Sequence, residues 1–164
     1  MQQAQSTHPG DRVSSKPAYR FAVLAVGLVA LLIIAANSIA SSSVAAQVMA
    51  RKTSLGTIVV DGKGRTLYLF MKDRAVKSAC YGACAVNWPP FLTVGKPRAA
   101  AGIKASLLGT SKRKDGKVQV TYNHHPLYRF SFDSGPGSTT GEGSTAFGAT
   151  WWAVSPKGVK VPKP

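Results

Sequence analysis

The sequence predicts a mainly β fold: one compact domain built from two related β-hairpin-based repeats, with one or two short helices. Three observations predict it. Short runs of β-branched and aromatic residues recur between turn signals. Two of those signals are Asp-Gly, which suits the positive-φ positions of a tight hairpin. The heptapeptide LYLFMKD at 67–73 returns as LYRFSFD at 127–133, with Leu, Tyr, Phe and Asp unchanged.

Each element follows in chain order. In GTIVVDGKGRTLYLF at 56–70, strands are expected over Thr57–Val60 and Thr66–Phe70, flanking a turn at Asp61-Gly62-Lys63-Gly64. Apolar spacing from Ala79 to Asn87 allows a short helix or compact loop, which Pro89 and Pro90 terminate because they lack amide donors. Residues 94–102 read as a connection and Ile103–Leu108 as one or two helical turns. In GTSKRKDGKVQVTY at 109–122, Asp115-Gly116 forms the second hairpin turn. Val118, Val120 and Tyr122 then alternate with Gln119 and Thr121, the pattern of a strand with one buried face. A turn at Asn123-His124-His125-Pro126 leads to a strand over Leu127–Phe132. Ser134–Gly148 is loop-like by its Gly, Ser and Thr content, Thr150–Val154 is a strand, and Val159–Val161 is a candidate last strand.

Ahead of this domain the chain has the layout of an export signal. Arg12, Lys16 and Arg20 precede Phe21–Ala36, an uncharged apolar run. As a helix it spans about 24 Å, short of the roughly 30 Å hydrocarbon core of a bilayer. Residues 1–46 are therefore expected to be a signal peptide, cut after Val44-Ala45-Ala46, with Val48-Met49-Ala50 or Ser38-Ile39-Ala40 as substitute sites. The alternative is an uncleaved N-terminal membrane anchor. Residues 47–54 are expected as a linker, 55–161 as the two-repeat β domain with repeats at about 55–95 and 109–158, and 162–164 as a tail. Either way the domain lies outside the cytoplasm, extracellular or in the cell envelope.

Charge narrows the partners. The 164 residues carry a formal net charge of +15, and residues 1–46 contribute three basic residues and one acid, leaving +13 on the remainder. Such an excess favours anionic surfaces. The basic residues are scattered, Lys112-Arg113-Lys114 being the tight run, and no helix-turn-helix or RNA-binding signature accompanies them, so no nucleic-acid partner is expected. Gly-x-Ser-x-Gly, phosphate-loop and His-Glu-x-x-His motifs are all missing from the sequence, and no catalytic residues are expected.

On the repeated strand, Tyr68 and Phe70 share one face, as do Tyr128, Phe130 and Phe132, because side chains alternate with period two. They are expected to form an aromatic core. Asp73 and Asp133 lie beyond each strand, where a carboxylate accepts backbone N–H groups as a turn or cap; the rival reading makes them a carboxylate pair.

The set TLYLFMKD, CYGACAVNWPP, GKVQVTYNHHPLYRFSFD and WWAVSPKG, behind a signal-like N-terminus, resembles the bacterial secreted-repeat family, exported proteins and lipoproteins with Tyr-x-aromatic-x-x-Asp repeats. The resemblance covers about Leu55 to Gly158. It implies cell-envelope location and brings no catalytic or ligand residues. Lipoprotein members are tethered through a cysteine that has no counterpart here.

Cys80 and Cys84, the only cysteines, are one helical turn apart, within reach of a disulfide. Export favours that bond. Zinc needs more ligands than one Cys-x-x-x-Cys supplies, whereas copper could recruit Met71, His124 and His125. Dithiol exchange is weaker, lacking Cys-x-x-Cys. The disulfide is expected to brace the loop that presents Trp88. His124 and His125 read as turn residues facing solvent. Trp88, Trp151 and Trp152 are candidate ligand-facing aromatics, with one of the adjacent pair entering the core. The expected function is an exported, non-catalytic envelope module without cofactor, binding an anionic envelope component or envelope protein, with membrane association through the N-terminal segment as a further possibility. A copper- or haem-linked redox accessory is the alternative.

Overall fold

The computed structural model describes residues 45–162, and strands dominate it. Two antiparallel hairpins begin the two repeats. The first joins β1 (Gln47–Thr53) to β2 (Gly56–Asp61), from Val48 opposite Asp61 to Thr53 opposite Gly56. After β3 (Tyr68–Phe70), the short helix α1 (Ala83–Asn87) and β4 (Arg98–Ala99), the second joins β5 (Leu108–Lys112) to β6 (Val118–Tyr122). A two-residue β7 (His125–Pro126) and β8 (Trp151–Ala153) complete the strands, with 3-10 turns at Ala105–Leu107 and Ala146–Gly148.

Residues 47–53, expected as linker, are thus a strand, and an inner one. β1 pairs antiparallel with β2 and parallel with β4, Gln47 opposite Arg98 and Val48 opposite Ala99. Gln47, Arg51 and Lys52 are exposed and give the segment its polar appearance, while Val48 is buried. The expected signal peptide at 1–46 lies outside the described residues except for Ala45 and Ala46, as does most of the tail. Among the described residues no helix is long and apolar enough to cross a membrane.

The expected pairing of Thr57–Val60 with Thr66–Phe70 is mostly replaced. The Asp61–Gly64 turn forms, Gly64 N donating to Asp61 O at 2.8 Å, but only Val60 and Thr66 bridge across it. β3 instead pairs with β8, Tyr68 opposite Ala153 and Phe70 opposite Trp151. The physical reason is that both faces of the segment are apolar, so it is best placed where both are covered. Tyr68 and Phe70 enter one buried cluster with Ile58 and Val60; Leu67 and Leu69 enter a second with Val48 and Val59.

Leu127–Phe132 is likewise not a regular strand. Tyr128 bridges Tyr68 on one side and Pro90 on the other, and Phe132, expected in the core, is 67% exposed. β6 and β7 close over Asn123 and His124, both at positive φ (46° and 66°), as a two-residue type I′ hairpin requires. Val159–Val161 makes one bridge, Lys160 to Val154, rather than a strand.

The repeats exchange their last segments. Phe91, at the end of the first, donates its N–H to Leu127 O (2.9 Å) and accepts from Val120 N (2.8 Å), both in the second. Val154, at the end of the second, donates to Leu67 O (3.3 Å) and accepts from Val59 N (2.7 Å), both in the first. Each repeat therefore supplies a segment bonded to strands and bridges of the other.

A candidate anion-binding site

The aromatic core is an exchanged structure too. Phe70, Trp151, Trp88 and Phe130 stack in that order, with successive ring centroids 3.9, 4.0 and 4.2 Å apart. Tyr68 meets the edge of Trp88 and Tyr128 the edge of Trp151, at 5.4 and 5.2 Å. The phenylalanine of each repeat thus lies on the tryptophan of the other. Trp88 and Trp151 are fully buried, so neither faces a ligand, which corrects that expectation: the stack is the most apolar place available to two large rings. Gly141 lies so close to its side that a Cβ there would sit 2.7 Å from the Trp88 ring and 3.1 Å from Phe130. Trp152 is half-buried on the second cluster, with Lys160 Nζ 5.3 Å from its ring centroid.

The tyrosines cross to the aspartates of the opposite repeat. Tyr68 Oη donates to Asp133 Oδ2 at 2.9 Å, and Tyr128 Oη donates to Asp73 Oδ2 at 2.8 Å. The remaining oxygens hold the following loops: Asp73 Oδ1 accepts Ala79 N (2.8 Å), and Asp133 Oδ1 accepts Thr140 N (2.9 Å) and Thr140 Oγ1 (2.7 Å). Burial pushes Asp73 up to about 6, against the opposing pull of the Ala79 amide, the Tyr128 hydroxyl and Arg113. Burial pushes both tyrosines up as well, followed by the charge of the facing aspartate. A third carboxylate ties the repeats. Asp61 is buried in its turn and accepts Lys63 N, Arg65 N, Arg65 Nε and Arg129 Nε at 2.8–3.0 Å. Burial pushes its carboxyl up, but the Arg65 amide, the Arg129 charge and their neighbours together hold it below the usual range.

Beside Asp73 this polar network opens to the surface. Cys80 and Cys84 are joined, their Cα atoms 5.3 Å apart, tying the loop that leads into α1 to the helix's first turn. The bond fixes the Cys80 carbonyl, which accepts Arg113 Nη2 at 2.8 Å. Arg113 Nη1 donates to Ser78 Oγ (2.9 Å) and to Gln119 Oε1 (2.6 Å), and Gln119 Nε2 donates to Leu127 O. Ser78 Oγ lies 2.8 Å from Tyr128 Oη; with the tyrosine proton committed to Asp73, the serine hydroxyl is the donor. The Tyr81 ring covers the guanidinium at 4.4 Å. Arg113 is consequently 5% exposed, forming the wall of a cleft of about 320 Å³ lined by Lys77, Ser78, Tyr81, Lys112 and Lys114. Its ion pair is with Asp115, at 3.4 Å through Nε, on the solvent side.

This cleft is the concentration of positive charge that the Lys112-Arg113-Lys114 run announces. Nothing in the sequence marks the middle residue as the buried one; Arg113 directly follows β5, still bonded across the hairpin to Lys117 O, and its side chain turns inward beside Gln119. The copper candidates fare differently. The disulfide leaves no thiolate, Met71 is half-exposed, His124 is exposed in its turn, and His125 is half-buried with its pKa lowered by burial and then by His124. Among the described residues no three His, Cys, Asp or Glu side chains group as metal ligands.

Two copies of one hairpin-led unit, exchanging strands and aromatic rings around a braced loop, define a duplicated β domain. The chain belongs to the family of secreted repeats of unknown function, which matches residues 49–91 and 109–155. The first match begins inside β1, so the repeat contains the strand that composition had assigned to a linker. No curated protein and no solved structure matches the chain.

Proposed function

We propose that this exported domain is a non-catalytic binding module that holds an anionic group of an envelope component in the cleft between the Cys80–Cys84 loop and the β5–β6 hairpin. The carrying observation is the gathering of Lys77, Lys112 and Lys114 around one cleft, whose wall is fixed by the buried Arg113 through Ser78, Cys80 O, Gln119, Asp115 and the covering Tyr81 ring. A rigid wall needs little ordering on binding, and flexible lysines around it add attraction without demanding one ligand shape. That arrangement suits a phosphate- or carboxylate-bearing polymer.

Polyphosphate and polyglutamate serve as probes in titration calorimetry. Lys112→Ala with Lys114→Ala is expected to weaken binding of the preferred probe about tenfold, and binding should fall as salt rises. A control pair with the same loss of charge, Lys52→Ala with Arg98→Ala on β1 and β4, should leave it within about twofold. Equal losses from both pairs would reduce the effect to overall charge and remove the cleft from the account.

A further inference from the structure

Along the β5–β6 hairpin and the 92–94 segment lies a second feature, which shares no lining residue with the anion cleft. Gln119 and Val118 are consecutive on β6 and point to opposite faces; Gln119 is buried against Arg113, whereas Val118 is exposed. Beside Val118 runs the segment 92–94, with Thr93 N donating to Val118 O at 3.0 Å. Leu92 and Val118 are both 36% exposed and Val94 is 60% exposed. Two broad depressions, of about 580 and 410 Å³, share Gly95 and Val118 and form one shallow apolar surface, with Lys117 at one end and Lys96 at the other.

Two observations identify what covers it. The surface is apolar in the middle, cationic at its rim and open rather than enclosed, the complement of a flat amphiphilic partner with negative charge. It also adjoins the place where the N-terminal segment enters the domain: Ala46 N donates to Thr93 Oγ1 at 3.0 Å. The apolar run Phe21–Ala36 ends only nine positions before Ala45 in the sequence. We infer that this face rests on an anionic lipid bilayer, with Val94 entering the interface and Lys96 and Lys117 against the phosphate headgroups.

Position-specific quenching tests this without depending on whether the N-terminal run is retained. The exported protein carrying Val94→Trp, or Val86→Trp on α1 as control, is mixed with vesicles whose acyl chains are brominated. Val86 is 72% exposed and lines neither depression. Val94→Trp emission should be quenched by vesicles containing phosphatidylglycerol and far less by phosphatidylcholine alone, with Val86→Trp unquenched in both. Lys96→Glu with Lys117→Glu should lower partitioning on the order of twentyfold or more, since each lysine near an anionic surface contributes about fivefold and reversal repels. Equal quenching at positions 94 and 86 would mean adhesion without a preferred face and overturn the proposal. So would quenching indifferent to lipid charge. Absence of quenching, with sedimentation showing self-association abolished by Val94→Asp, would give the face to a second copy instead.

Discussion

Tyr68, Asp73, Tyr128 and Asp133 act as two crossed pairs. Sequence reading places both tyrosines on an aromatic strand face, where the structure has Tyr68 on β3 but Tyr128 in isolated bridges, and gives each aspartate a backbone-holding role; Asp73 accepts Ala79 N and Asp133 accepts Thr140 N. Invisible in the sequence is the crossing, because repeated motifs do not say whether their partners lie within a copy or between copies. A double-mutant cycle separates the two. Tyr68→Phe with Asp133→Asn, and Tyr128→Phe with Asp73→Asn, should show coupling of about 1 kcal/mol or more in urea unfolding, whereas Tyr68→Phe with Asp73→Asn should be additive. Additivity in the crossed pairs would leave those hydrogen bonds without energetic weight. Asp73 also sets a pH dependence. Its carboxyl is raised from 3.8 to about 6 in the folded state, so the fold binds more protons than the unfolded chain between those values. Stability should therefore fall as pH rises from about 4 to 6, by on the order of 1–3 kcal/mol, and level off above. Asp73→Asn should flatten that slope in denaturation midpoints measured across the range; an unchanged slope would place its origin elsewhere.

Among the elements, the short braced loop and β1 carry the most consequence. The disulfide closes a small ring, so its loss should cost only about 2 kcal/mol by chain entropy. It also holds the Cys80 carbonyl and Tyr81 around Arg113. Cys80→Ala with Cys84→Ala should therefore weaken anion binding beyond its modest effect on the unfolding midpoint; intact affinity would show that the brace does not serve the cleft. β1 bears on processing. Ala46 O accepts Arg98 N at 2.8 Å and Ala46 N donates to Thr93, so cleavage after Ala46 removes these bonds and cleavage after Ala50 cuts the strand. Intact-mass measurement of the exported chain should give an N-terminus at or upstream of Ala45, consistent with the Ser38-Ile39-Ala40 site; a start at Gln47 or Arg51 would contradict it. β1 escaped sequence reading because QVMARKT has few β-branched residues and its burial comes from neighbours on both sides. The repeat itself held the missing signal. Leu67 and Leu127 are separated by the same interval as the starts of the two family matches, 49 and 109, so projecting β5 back by that interval lands on β1. By contrast, the Asp115-Gly116 turn, α1 and β8 were legible from local chemistry alone, and of the turn expected over Asn123–Pro126 the first two residues form it while His125 and Pro126 make β7.

At the scale of the whole molecule, the domain is one fold made of two interlocked halves. Pairing of β3 with β8, the Phe91 and Val154 exchanges and the four-ring stack all join the repeats across long stretches of chain. Long-range β pairing is what a single sequence least reveals, since propensity marks strands but not partners. The same interlock positions the anion cleft, whose loop comes from the first repeat and whose hairpin comes from the second. The most direct test is to produce residues 45–104 and 105–164 as separate chains and record NMR spectra of each alone and of the two mixed. Each alone should give the collapsed amide dispersion of an unfolded chain, and the equimolar mixture should recover the dispersed spectrum of the intact domain. Cooperative folding of either half by itself would contradict the exchange on which the fold and the cleft both rest.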